Sequence, residues 1–356
     1  MVAKSGTVDA EKLTNFTIKA LQKVGVPEED ARITACILVA TDLRGVDSHG
    51  VAHLAPFYVK RIKEGLINVK PKTKVFSRSP ATAIMDGDRG LGFVVGYRAM
   101  MEAMHRAEAT GAGFVAVRNS THFGAGANYA MMALSRNMIG ISMTTGGKGM
   151  VAPGSSGRGV CISVISIAVP AKDEPPFVLD MATTVVAGGK VEIALRKDMA
   201  MPEGWVVNKE GKPITDPRRF REEGALLPLG GTTQLGSYKG FGLAVAVDIL
   251  CSILSGSVPS PQMLSEPDSR GRGNHFFGAL RIDGFMPADE FKKAMDGMIK
   301  LYRALPKAAG VDRITLAGEL EQEIEKERQS NGIPLHPAVV ASLQELAKEL
   351  GIEYDL

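Results

Sequence analysis

Between residues 81 and 183 the sequence alternates short strand-like runs with helical ones, and that alternation leaves few architectures open. "ATAIMDG" reads as a strand, "GYRAMMEAMHRAEATG" as a helix, "FVAVRNS" as a strand and "NYAMMALSRN" as a helix. "IGISMTT", "VCISVISIAVP" and "FVLDMAT" add three more strands. Strands interleaved with helices indicate an α/β domain. Beyond it, "TVVAGGKVEIALRKDM" predicts a helix interrupted by paired glycines, and "PEGWVVNKEGKPITDPRRF" a Pro/Gly/charge-rich surface excursion. "KGFGLAVAVDILCSILSG" is apolar enough to predict a helix buried all round, and "HFFGALRIDGFMP" a last strand.

Both ends of the chain are helical. Leu13, Phe16, Thr17, Ala20, Leu21 and Val24 recur at helical spacing until Gly25. Pro27 opens a second helix carried by Ile33, Ile37, Ala40 and Leu43 to Gly45. Val51, Leu54, Tyr58 and Ile62 predict a third, stopped at Gly65. Helical patterns return from Ala288 to the end. The expected organisation is a helical lobe of residues 1–75 plus 288–356 around an α/β domain of residues 76–287.

Composition excludes several classes. A net charge of +3 with no long basic run gives no support to nucleic-acid binding. No apolar stretch approaches the roughly 18 residues of a membrane span. The polar start "MVAKSGTVDAEK" predicts no signal peptide. Cys36, Cys161 and Cys251 are scattered and form neither a disulfide framework nor a CxxC metal site, which fits a reducing cytoplasm.

The densest chemistry lies in "RGVDSHGVAHL", residues 44–54. Ser48 at the mouth of a helix predicts an N-cap. His49 would feel the positive helix end, which lowers its pKa, while Asp47 pushes the other way. A histidine held near neutrality is a proton donor or acceptor. His53 lies four residues on, on the same helical face. HxxxH can bind a metal, but the hydrolytic pattern His-Glu-x-x-His is absent and no third ligand is evident, so no metal is expected. His122 follows a strand end in "VRNSTHFGAGANY", where α/β ligands collect. His105 and His336 read as structural; His275, opening an apolar strand, is left undecided, with a satisfied core histidine as the default. Gly90, Gly92 and Gly96 make a loose dinucleotide fingerprint, with Arg118 placed to read a 2′-phosphate. Lys239 with Gly240 and Gly242 at a helix threshold is a phosphate contact without P-loop spacing. Asp180 ends a strand, where capping is the default role and a ribose contact the alternative.

Taken in order, "DLRGVDSHGVAHL", "RNSTHFGAGANYA", "FVLDMATT", "PEGWVVNKEG", "SYKGFGLAVAVDIL" and "LAGELEQEIEKERQSNGIPL" resemble the type-2 malate/L-lactate dehydrogenases from about residue 8 to the end. The resemblance implies an NAD- or NADP-dependent, cytoplasmic, homodimeric oxidoreductase of 2-hydroxy and 2-oxo acids of malate, lactate or sulfolactate type. It also implies a non-Rossmann mixed-sheet cofactor domain, which makes the Gly90–Gly96 fingerprint a decoy. Catalytic roles fall on His49 and His122 and substrate contacts on Ser48, His53 and Thr144. Cofactor contacts fall on Asp180, Met181, Ala182, Lys239, Gly240, Gly318 and Glu319. Three departures stand out. Many members have arginine where this chain has His53, so Arg44 or another cation would have to hold a substrate carboxylate. A Gly-Thr-Asn-Pro block reads Cys161 to Val164, and a Pro-Gly-Glu block reads Ala317-Gly318-Glu319. The alternatives from other classes are a metal-dependent hydrolase or lyase using His49 and His53, and a non-catalytic dinucleotide-binding protein.

Overall fold

Helix-opening chemistry appears at the first described turn. The structure, a computed structural model, describes residues 6–265 and 271–356. Asp9 accepts the N–H groups of Glu11 and Lys12 and so opens α1, Ala10–Lys23. α2 spans Glu28–Leu43. The predicted third helix is less regular than its periodicity suggests. It opens as a 3-10 turn at Val51–His53, widens to π-type turns over Leu54–Val59 and tightens to α3 at Lys60–Lys63. Pro56 lies inside the widened stretch and has no N–H to give to the ladder.

α4 (Gly92–Thr110) and α5 (Ala127–Ala130) follow, then α6 (Gly188–Arg196), α7 (Phe220–Glu223), α8 (Ser237–Asp248) and α9 (Ser260–Ser265). The C-terminal helices are α10 (Ala288–Arg303), α11 (Glu319–Asn331) and α12 (Pro337–Leu350). His336 caps α12 through Ala338 N–H, the structural role expected of it, and His105 is exposed on α4 and does not line the cleft between the helical lobe and the end of the sheet.

Among the described residues the strands form two sheets. β1 (Thr7–Val8) pairs with β11 (Ile333–Pro334), clasping the chain ends together. The large sheet uses β2 (Lys74–Ser77), β3 (Thr82–Asp86), β4 (Ala112–Thr121), β5 (Met138–Met150), β6 (Val160–Val169), β7 (Phe177–Ala182), β8 (Val206–Val207), β9 (Ala225–Leu226) and β10 (Arg272–Arg281). Its order is β2-β3-β4-β10-β5-β6-β7, with β9 joined to β5 and β8 to β9. β3 runs parallel to β4, and β9 to β5; the other pairs are antiparallel. A dinucleotide fold of the Rossmann kind needs a run of parallel βαβ units. This sheet is mixed, and the non-Rossmann reading holds.

Apolar periodicity also finds its partners. Leu13, Phe16, Leu38, Leu54, Tyr58, Ile333 and Leu343 share one helical core from both chain ends. A second core lies between α4 and the sheet, around Met100, Val115, Val117 and Phe277. α10 instead meets the turn after β6, where Asp296 accepts the N–H groups of Lys172, Asp173 and Glu174.

One expectation fails. The apolar helix predicted to be buried all round is α8 with the turns after it, and only one side is covered. Ala244, Val247 and Cys251 are buried, while Leu243, Val245, Ile249, Ile253 and Leu254 are exposed. The segment is apolar on both faces, and a single chain supplies a neighbour for just one.

Candidate active site

Glycines explain how the backbone is drawn tight beside the site. A Cβ on Gly92 would lie 2.1 Å from the carbonyl oxygen of Thr121 and 2.5 Å from that of His122. Gly92 N–H donates to Thr121 Oγ1 at 3.0 Å. Gly90 abuts Pro71, and Gly96 abuts the Tyr129 ring. These three glycines serve packing, so the fingerprint is indeed a decoy. Arg118 likewise pairs with Asp86 at 3.1 Å and lies over Phe76.

A cleft of about 1190 Å³ runs between the helical lobe, the end of the sheet and the turn before α11. Ser48, His49, His53 and His122 line one end. The three imidazoles stack nearly parallel. Ring centroids are 6.1 Å apart for His49 and His53, 5.7 Å for His49 and His122, and 6.5 Å for His53 and His122. The helical-face argument thus places His49 beside His53, although His49 itself sits in the turn before the helix.

Burial lowers the pKa of all three rings. His53 is pushed down to about 4, mainly by burial and further by His49 and Arg196. The site therefore holds neutral imidazoles at pH 7. His53 Nδ1 is buried without a hydrogen-bond partner among the described residues.

Ser48 does not cap the following helix. Its Oγ lies 2.9 Å from His49 Nδ1. The cap is Asp42, at the far end of α2, whose Oδ2 accepts Val51 N–H at 2.8 Å. A Cβ at position 50 would lie 1.9 Å from Asp42 Oδ1, so only glycine fits there. Arg328 donates to the Asp42 carbonyl and to Asp47 Oδ1, pinning the same loop from α11. Asp47 is thereby committed to Arg328 rather than to His49. Asp42 and Arg328 were not singled out from the sequence. Asp42 lies at an ordinary helix C-terminus, seven residues before His49, and its role depends on a chain reversal. The available signal was a glycine directly after Ser-His, which requires close approach to something.

The strand-end carboxylate follows its default role in an unexpected place. Asp180 Oδ2 accepts Ala127 N–H at 2.9 Å, capping α5, and Oδ1 accepts the Ser166 hydroxyl at 2.6 Å. Asp180, Met181, Ala182 and Gly318 all line the cleft. Val178 N–H points outward to the Ala317 carbonyl at 3.0 Å. The two-residue strand period turns the amides of Asp180 and Ala182 the same way, along the cleft.

Other expected contacts are elsewhere. Lys239 is exposed on α8, near the Tyr238 ring, and Gly240 N–H donates to Leu229. Neither lines the cleft. Glu319 is buried and binds Arg303 at 2.8 Å. Thr144 does line it, but its hydroxyl is engaged by the Asn274 carbonyl and His275 Nδ1. The β5–β10 register sets Thr144 opposite His275. Ser120 holds His275 Nε2 at 2.9 Å, so His275 is a satisfied core histidine. Arg44 is not a free substitute for an arginine at position 53. It is buried against Glu325 at 3.0 Å, on the Asp180 side of the cleft. Among the described residues no three His, Cys, Asp or Glu side chains form a metal-holding group.

The sequence pattern of the malate/L-lactate dehydrogenase family matches residues 8–344. The chain belongs to that family. It is 44% identical to a malate dehydrogenase of Pyrococcus horikoshii, over 97% of this chain and 96% of that protein. It is 38% identical to an L-sulfolactate dehydrogenase of Methanocaldococcus jannaschii, over 97% of each. The crystal structure of a malate dehydrogenase from Entamoeba histolytica superposes with a TM-score of 0.96 at 32% identity, covering 99% of this chain and all of that one. As a member of the malate/L-lactate dehydrogenase family the chain is an oxidoreductase, exchanging hydride between a 2-hydroxy acid and its 2-oxo acid. Family membership also explains why the DSHG loop, and not the glycine trio, meets the cleft.

Proposed function

We propose that this dehydrogenase uses NAD or NADP to interconvert a 2-oxo acid and its 2-hydroxy acid, with His49 as the proton carrier. The observation that carries the reading is the stack of neutral imidazoles at one end of a long cleft. A reduced nicotinamide, when bound, supplies the hydride. His49 gives its proton to the carbonyl oxygen in reduction and takes one from the hydroxyl in oxidation. Ser48 holds the inner nitrogen of that ring. The residues present fit a dinucleotide. The outward-turned amides at Asp180 and Ala182 and the turn at Gly318 offer polar backbone along the cleft. Relatives named for malate and sulfolactate favour an acid with a second anionic group, oxaloacetate or sulfopyruvate. Lys190 and Arg272 line the same cleft and support an anionic substrate.

A panel of 2-oxo acids with NADH and NADPH, read by absorbance loss, tests this. Oxaloacetate or sulfopyruvate should be reduced faster than pyruvate; no oxidation of either cofactor with any acid rejects the reading. Exhaustive chelation should leave turnover unchanged. Loss that returns with a divalent ion would favour the metal-dependent alternative.

The uncovered face of α8 supports a homodimer, because an apolar surface of that kind in water needs a partner. Light scattering should give twice the 37.8 kDa chain mass. Ile249→Glu, at a half-exposed position of that face, should shift the protein toward monomer.

A further inference from the structure

Three histidines share one end of the cleft, and the two with a side-chain hydrogen bond behind the ring, His49 and His122, are held by bonds that are not equivalent. His122 sits on the loop after β4, its own N–H anchored to the Gly271 carbonyl at 3.0 Å. Its Nδ1 has two neighbours. The Tyr58 hydroxyl is 2.7 Å away, and Gly124 N–H donates to the same nitrogen at 3.4 Å. A backbone N–H can only donate, so its approach points to this nitrogen as an acceptor. The Tyr58 O–H then donates as well. The remaining ring proton is left on Nε2, which has no protein partner among the described residues and belongs to a cleft-lining residue.

Tyr58 is built to hold that arrangement. It is almost completely buried, with its ring edge-on to Phe93 at 4.9 Å and to Phe57 at 5.1 Å. Burial pushes its hydroxyl pKa up, so it stays a donor. His49 has no comparable constraint. Its inner nitrogen meets the Ser48 hydroxyl, which gives or accepts a proton with equal ease.

Resting on the dehydrogenase reading above, we infer that Tyr58 is a positioning residue that locks His122 as a hydrogen-bond donor, leaving proton transfer to His49 rather than His122. As the carbonyl carbon takes the hydride, the carbonyl oxygen takes the proton from His49, whose N–H bond breaks. The Nε2–H bond of His122 stays intact throughout and only polarises the same oxygen.

Nitrogen NMR on the full-length protein, with His122 assigned by its loss in His122→Gln, tests the lock without any turnover. His122 should show a neutral ring protonated at Nε2 at pH 7. Tyr58→Phe should move the Nδ1 resonance, because one of its two donors is gone. A ring protonated at Nδ1, or at both nitrogens, overturns the inference. So does a Tyr58→Phe protein, folded by circular dichroism, with an unchanged Nδ1 signal. Kinetics tests the division of labour. A glutamine amide can donate from the Nε2 position but cannot carry a proton through the reaction. His122→Gln should keep kcat within about tenfold of the parent, and His122→Ala should lose at least a further tenfold. Equal loss in both variants rejects the donor role. If no 2-oxo acid is reduced by the parent protein, the function reading fails while the NMR result still decides the tautomer.

Discussion

His49→Ala should lower kcat by about 10²- to 10⁴-fold, the range in which a positioned proton donor contributes. Cofactor affinity should be largely kept, because the amide edge at Asp180–Ala182 and the Gly318 turn, which also line the cleft, are untouched by the substitution. The expected loss follows from the electrostatics. Burial holds the His49 ring neutral below its ordinary 6.5, which suits a base that takes the hydroxyl proton of a 2-hydroxy acid. Reduction needs the imidazolium, and an arriving anion favours it. In the free enzyme burial acts alone, so kcat/KM for oxidation should stay level down to pH 6.5 and fall only at lower pH. Ser48→Ala should cost less, because it frees the inner nitrogen without removing the ring. Steady-state rates with nicotinamide fluorescence titration check both halves. A His49→Ala enzyme that turns over within threefold of the parent removes this residue from the chemistry.

What was legible in the sequence divides by range. Short-range periodicity located α1, α2, α4 and the main strands, because each buries a stripe or face that the pattern itself displays. The turn after His49 was placed correctly and its cap assigned to the wrong residue. Ser48 has the right chemistry for an N-cap, yet Asp42 competes for the same N–H from across a chain reversal. Asp180 was recognised as a capping carboxylate, but the helix it caps lies 53 residues earlier in the chain. Tyr58 read as one more apolar helix position, since nothing local shows that its hydroxyl ends beside His122. The outer face of α8 was misjudged for the opposite reason: apolarity shows that a surface must be covered but not by which molecule. Long-range polar pairing is the common element in the residues that escaped, and one-dimensional patterns do not encode it.

Gly50→Ala should be the most damaging single-methyl change in the loop that carries His49 and His53. The added carbon would lie 1.9 Å from Asp42 Oδ1 and 2.2 Å from its Cγ, so the carboxyl must leave Val51 N–H. Overpacking costs about 1–3 kcal/mol, and an abandoned buried N–H a similar amount. The loop that moves carries both His49 and His53, so turnover should fall with stability. Asp42→Ala makes room for the methyl group. Calorimetry should therefore show the double variant more stable than the sum of the two single changes predicts. The same carboxyl has its own pH signature. Burial pushes its pKa up to about 8, against about 3.9 in an unfolded chain. Its contribution to stability is complete below the unfolded value and is lost as pH rises through the folded one. At 1.36 kcal/mol per unit, the loss reaches at most about 6 kcal/mol. Asp42→Asn keeps an oxygen for Val51 N–H and has nothing to ionise. Its melting temperature should gain on the parent steadily from pH 5 to pH 8. A gap that stays constant across that range would mean Asp42 is already ionised beneath the loop, and the carboxyl would then hold Val51 as an anion.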